Sequence, residues 1–490
     1  MFNRKLLALF LLIVFAATLF AGCGSKTADE DNPAETVELV WYTGFSGTES
    51  PKDLDSVTAE LSKYTKEKIN ATVKIIPVAF ADYQTKMNPI LASGEACDLV
   101  FTCSWTLDYR IYGTKGLFYP LDDLLPKYGE KLNSLISKEL WEATRVGGKI
   151  IAVPNYKDLV YQQVVVFNKN KVDALGLDLS KIKTFADLAP VFAQAHAKDP
   201  GLICFETGSR ISPYDKYDFL ISYGTPGAVR LDDSSCKVVN QWDYPDFIKD
   251  CAIYREFYQK GYISKDTGTT RNQSNPFLKG TALAAVDVLV PNCDTVLSSL
   301  YGFPVVSVKL YDKPAMTTHS TTGSMIAVSA SSKHPARALR FLELLNTDPY
   351  VRNLVTYGIE KVHYDKTGPT SIKYTDKHKQ YEMAGFALGN RLIEYTVDPT
   401  PPGTNQLLKA FNDSAVISPV MGFSFNTEPV KSEISAIENL NQQYAPAALF
   451  GLKDVDEAIS DYQTQLKACG VDRVLAEMQK QVDEWKKNKK

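Results

Sequence analysis

Residues 37–42, Val37-Glu38-Leu39-Val40-Trp41-Tyr42, form an alternating strand that runs out at Gly44. A helix follows over residues 53–69, with Val57, Leu61 and Tyr64 on one face. Next come a strand at 71–78, a helix at 82–91 and a third strand, Asp98-Leu99-Val100-Phe101-Thr102. Strands separated by helices of this length predict right-handed βαβ units and a parallel sheet. Such sheets receive ligands beyond the carboxyl ends of their strands, here at loops 43–50 and 103–108. Tyr42 and Phe45 at the first loop, and Trp105 and Asp108 at the second, are therefore candidate ligand residues. Alternation turns only one of Trp41 and Tyr42 into the core. Trp105 lies past the end of its strand, where an indole offers a flat apolar face and one N–H donor.

The same alternation continues downstream. Residues 149–154 read as a strand stopped by Pro154, and 163–168 as another. Residues 190–197, 244–259 and 335–345 read as helices. Over 454–489, Val455, Ile459, Tyr462, Leu466, Val474, Met478, Val482 and Trp485 recur at helical spacing, which predicts two amphipathic helices broken at Gly470. No internal repeat or low-complexity tract is present.

The N-terminus has the layout of a secretory signal. Arg4 and Lys5 precede an uncharged apolar run, residues 6–21, and Ala21-Gly22-Cys23 closes it with small residues. The run is shorter than the ~20 residues that span a bilayer. The ending resembles a lipobox, with Phe20 where the usual Leu stands, so Cys23 is expected to carry lipid and begin the mature chain. Residues 24–35 are small, polar and acidic, and are expected to form a flexible tether. Loss of residues 1–22 removes two basic side chains and no acidic ones, taking the formal charge from −3 to −5. A mildly acidic body excludes a nucleic-acid-binding face. Location is expected to be extracytoplasmic, at the outer face of the cytoplasmic membrane through a lipid anchor.

The 468 residues after residue 22 suit two or three domains. Tyrosine is abundant, 26 in all, and the chain has five tryptophans, a composition suited to stacking on something flat and polar. Seven cysteines remain beside Cys23, an odd number without regular spacing, so no disulfide framework is expected. Cys97 and Cys103 flank a strand, about 20 Å apart, beyond the ~7 Å that a bridge tolerates.

Motifs for catalysis are missing. The sequence has no Gly-x-Ser-x-Gly elbow, phosphate loop or Cys-x-x-Cys, and its five histidines lack metal-ligand spacing. Asp122-Asp123 and Asp232-Asp233 are the acidic pairs that a glycosidase reading would use. Adjacent carboxylates more often serve turns and helix caps. Neither an enzyme nor any cofactor or metal is expected; a glycoside-active lipoprotein stands as the alternative, with cleavage of an oligosaccharide as its test.

Three segments in order carry a family resemblance. Residues 147–170 (GGKIIAVPNYKDLVYQQVVVFNKN), 275–285 (NPFLKGTALAA, with Phe277, Gly280 and Ala282) and 319–345 (HSTTGSMIAVSASSKHPARALRFLELL) resemble family 1 extracellular solute-binding proteins. Tyr357-Gly358-Ile359-Glu360 and residues 421–445 are similar to a lipoprotein subgroup of that family. The resemblance implies an α/β, two-lobe periplasmic-binding-protein-like fold (type II), with a ligand cleft between lobes joined by three hinge crossings. It implies a monomer that captures an oligosaccharide, closes around it and passes it to the permease subunits of an ABC importer; a non-sugar ligand such as a peptide is the other option. Some relatives carry a calcium loop after Lys-Asp-Pro, but Lys198-Asp199-Pro200 leads straight into Gly201-Leu202-Ile203, so no calcium is expected.

Expected lobes are 36–155 with 305–347, and 156–304 with 348–490. Further ligand candidates follow from this layout. Tyr156 and Tyr161 border the crossing between lobes. Arg210, in Gly208-Ser209-Arg210, could fork onto a carboxylate or sugar hydroxyls, or form a structural ion pair. Trp242 sits in a polar stretch as a stacking platform or surface lid. Asp287 could accept hydroxyl hydrogen bonds or cap a helix, and His319 opens the third family segment.

Overall fold

The computed structural model describes residues 31–206, 216–221, 225–265, 267 and 276–488. Strand Val37–Phe45 pairs in parallel with Ala71–Ala79 and with Leu99–Thr102. The intervening helices are Leu54–Ile69, closed by Asn70 in the left-handed conformation, and Tyr83–Ser93, closed by Gly94. The βαβαβ reading thus holds. Met325–Val328 returns antiparallel beside Leu99–Thr102, and Val153–Pro154 adds the far edge. The expected strand over 149–154 is split, with only Val153–Pro154 joining this sheet and Lys149–Ile150 pairing locally with Arg145–Val146.

Both faces of this sheet are covered, so alternation does not expose either aromatic of the first strand. Trp41 packs edge-on against Phe341, 5.5 Å between centroids. Tyr42 points to the other face, into a core with Val40, Tyr83 and Phe101.

A second sheet runs in the order Val305–Lys309, Gln163–Asn168, Ala284–Val288, Phe205–Glu206. Its central strand, Gln163–Asn168, is buried throughout, which explains its unbroken apolar run. Each sheet has its own core. The first includes Leu39, Trp41, Leu339 and Phe341; the second includes Phe167, Phe192, Trp242 and Tyr462. The chain passes between the lobes three times, at residues 155–162, 310–324 and 398–419.

Three expected boundaries move. Val305–Lys309 pairs antiparallel with Gln163–Asn168, so lobe two extends to residue 309 rather than 304. Pro349–Tyr357 buries Val351, Leu354 and Val355 in the lobe-one core, so only the region from about 420 onward packs on lobe two. The tether is docked from Asp31, because the buried Arg337 guanidinium takes that carboxylate at 2.9 Å and the Asn32 carbonyl. Residues 1–30, including Cys23, lie outside the described residues. Helices Val455–Ala468 and Val471–Asn488 meet at Gly470, whose φ of +83° needs glycine. Among the described residues, no helix is long and apolar enough to cross a membrane.

Candidate functional site

A cavity of about 490 Å3 opens between the lobes. Lobe one contributes Trp105 and Phe386, lobe two contributes Asp287, Pro291 and Leu300, and the passages contribute Tyr161, His319 and Asp158. Trp105 and Phe386 are 50% and 37% exposed, with centroids 6.5 Å apart. Behind them, Phe80 stacks on Phe386 at 5.5 Å and Phe101 meets Trp105 at 5.9 Å. Half-exposed rings backed by the buried Phe101 and the partly buried Phe80 make a stiff platform. The Trp105 N–H donates to the Gly323 carbonyl at 2.7 Å, which fixes the ring but leaves its donor engaged within the protein.

Polar groups gather at the hinge side. Arg391 lies 3.7 Å from Asp158, and its backbone N–H donates to the Tyr156 carbonyl at 2.7 Å. Asp287 accepts a hydrogen bond from the Tyr301 hydroxyl. His319 lies exposed at the rim, and partial desolvation with the Arg110 charge nearby lowers its pKa from the ordinary histidine value. One apolar rim, one aromatic rim and a polar base suit a ligand with apolar faces and many hydroxyls.

Of the residues singled out from sequence, Trp105, Tyr161, Asp287 and His319 come together here. Tyr42 and Phe45 are buried at the end of the first strand. Tyr156 is buried in the lobe-one core near Asn412. Asp108 caps helix Tyr109–Thr114 and pairs with Arg110. Trp242 is no platform or lid: it is 0% exposed, wedged between Phe247 and Tyr462 at 4.9 and 4.6 Å, because the C-terminal helices cover it. Arg210 lies outside the described residues. Phe386 and Arg391 were not singled out; both belong to short 3-10 turns, Gly385–Ala387 and Arg391–Ile393, whose sequence carries no periodic signal.

Three of the four carboxylates in the acidic pairs have structural partners. Asp122 holds Arg145 and the Ile150 N–H, Asp232 holds Arg230, and Asp233 accepts from the Ser235 N–H. Among the described residues all seven cysteines are free, and burial pushes the Cys97, Cys103, Cys204 and Cys251 thiols up to about 12, where they stay unreactive.

Residues 47–351 match the bacterial extracellular solute-binding protein family, and residues 419–487 match a domain described as one of unknown function. A carbohydrate ABC transporter substrate-binding protein of Streptococcus pneumoniae serotype 4 is 30% identical over 483 residues, covering 98% of this chain and 97% of that protein. The crystal structure of N-glycan transport solute binding protein (NgtS) from Streptococcus pneumoniae matches with a TM-score of 0.84 at 30% identity, over 92% of this chain and 100% of that one. NgtS in complex with Man5GlcNAc matches with a TM-score of 0.70, over 92% and 99% of the two chains. Two lobes, a cleft between them and these matches agree: the chain belongs to the bacterial extracellular solute-binding proteins and has their type II fold.

Proposed function

We propose that this protein captures an oligosaccharide in the cleft between its lobes and delivers it to the permease subunits of an ABC importer. The Trp105–Phe386 platform carries this reading, because paired half-exposed rings at the lip of a cleft match the apolar faces of sugar rings. Tyr161, Asp287 and Arg391 supply hydroxyl partners, and the His319 imidazole adds a further polar group at the rim. The two relatives that match over most of the chain are named for carbohydrate and N-glycan transport. NgtS matches at 0.84, but at 0.73 and 0.70 in its two glycan complexes, a spread that a change of lobe angle would produce. Such a spread is what hinge closure around ligand predicts, and it supports that mechanism here.

The protein acts as a monomer, held outside the cytoplasmic membrane by lipid on Cys23. A thermal-shift screen against neutral and acidic oligosaccharides tests the function. A true ligand at a hundred times its Kd should add about 2.7 kcal/mol of stability. Stabilisation by peptides alone, or cleavage of any sugar during incubation, would overturn the reading. Cys23→Ser should release the protein from the membrane fraction.

A further inference from the structure

A second cavity, about 340 Å3, lies against the first, and Phe386 and Arg391 line both. Its outer wall is Tyr374, 40% exposed, whose ring stacks on His378 at 4.5 Å between centroids and 14° between planes. Its floor is buried and fully tied down. Arg352, 0% exposed, donates to Glu394 at 2.8 Å, to the Gly385 and Asn390 carbonyls and to the Thr356 hydroxyl. The other Glu394 oxygen faces Arg391, 3.5 Å from its Nε.

This arrangement selects a chemistry. Arg352 and Arg391 are set against Glu394 and the rim carboxylate of Glu382, which lies 3.6 Å from His378. With Asp158 also 3.7 Å from Arg391, the carboxylates at least match the cations, so an anionic ligand gains no net attraction. What remains is a flat ring beside fixed donors and acceptors, which suits a neutral ring bearing hydroxyls. Both cavities fall in the range of about 300–1,000 Å3 typical of small-molecule sites. Arg391 stands at their junction, anchored through its backbone to Tyr156 in the first passage.

We propose that this second cavity is a sugar subsite, holding an arm of an extended or branched neutral oligosaccharide whose body lies in the main cleft. The subsite rests on the oligosaccharide reading above and adds size selection to it. A short sugar fills the cleft alone. A longer one also engages Tyr374 and the Glu394–Arg391 pair.

The test is an array of neutral oligosaccharides graded in size, with Man1GlcNAc and Man5GlcNAc among them, followed by calorimetry on the binders. Tyr374→Ala removes the platform, and Glu382→Trp fills the mouth from an exposed position whose surface pairing with His378 adds little to stability, so at least one variant keeps its fold. Both should weaken the largest binders about tenfold while the smallest keep wild-type affinity. Equal losses for large and small sugars, or no loss at all, would overturn the subsite. Trp105→Ala distinguishes the two readings, since it should weaken every binder. Binding of no sugar by the wild-type protein would end the oligosaccharide reading and the subsite with it.

Discussion

The backbones of Tyr161 and Ala315 exchange two hydrogen bonds, 2.7 Å from the Tyr161 N–H and 2.8 Å in return. They belong to different passages between the lobes. The third passage joins them through Val416 and Ser418, whose N–H groups donate to Pro314 and Met316 at 2.8 Å. All three crossings are therefore stitched side by side, which makes one axis for the lobes to turn about.

Saturating sugar should lower the radius of gyration in small-angle scattering. Amide exchange at Tyr161, Ala315 and Ser418 should stay slow with and without ligand, because these bonds lie on the axis. An unchanged radius would count against closure, and ligand-dependent exchange at Tyr161 would move the hinge elsewhere.

Trp105 and Trp242 make a matched pair of opposite roles. Trp105→Ala should weaken sugar binding by about 2 kcal/mol, roughly thirtyfold, with a small change in melting temperature. Trp242→Ala empties a fully buried site and should cost about 3–5 kcal/mol of stability, leaving the affinity of the folded protein intact. Calorimetry and denaturant titration on both variants check the pair; the reverse pattern would exchange their roles.

Asp218 sits at the hinge, its carboxylate accepting hydrogen bonds from the Ser418 hydroxyl and the Thr318 N–H, yet burial raises its pKa to about 7. Its folded pKa exceeds the ordinary value, so its contribution to stability is complete below about pH 4 and is lost as pH rises through about 7. Asp218→Asn should therefore gain stability relative to wild type as pH increases from 5 to 8.5. A difference in melting temperature that is flat across that range would show that the carboxylate does not titrate there.

Arg337 is 2% exposed and spends its donors on Asp31 and on the Asn32, Glu35 and Asn70 carbonyls. Asp31→Ala would leave a buried guanidinium without its counter-charge, at a cost of about 3–5 kcal/mol in urea unfolding. A loss under 1 kcal/mol would mean that the 31–35 segment is undocked in solution, as an unattached tether would be.

Features that repeat over a few residues are legible in the chain itself. The βαβαβ order, the helix at Pro335–Thr347, the break at Gly470 and the place of Trp105 beyond its strand all follow from periods and breakers read locally. Family motifs then supplied the two-lobe plan. Long-range packing alone sets which sheet Val305–Lys309 joins, the burial of Trp242 under the C-terminal helices, and the meeting of Asp31 with Arg337 across 306 positions. Phe386 and Arg391 enter the site the same way: Ser324 holds the Phe386 carbonyl at 2.7 Å and Tyr156 holds the Arg391 N–H. Such contacts form between segments from 62 to 306 residues apart, where one segment's hydrogen bond or ring is completed by another, and no local period encodes the partner.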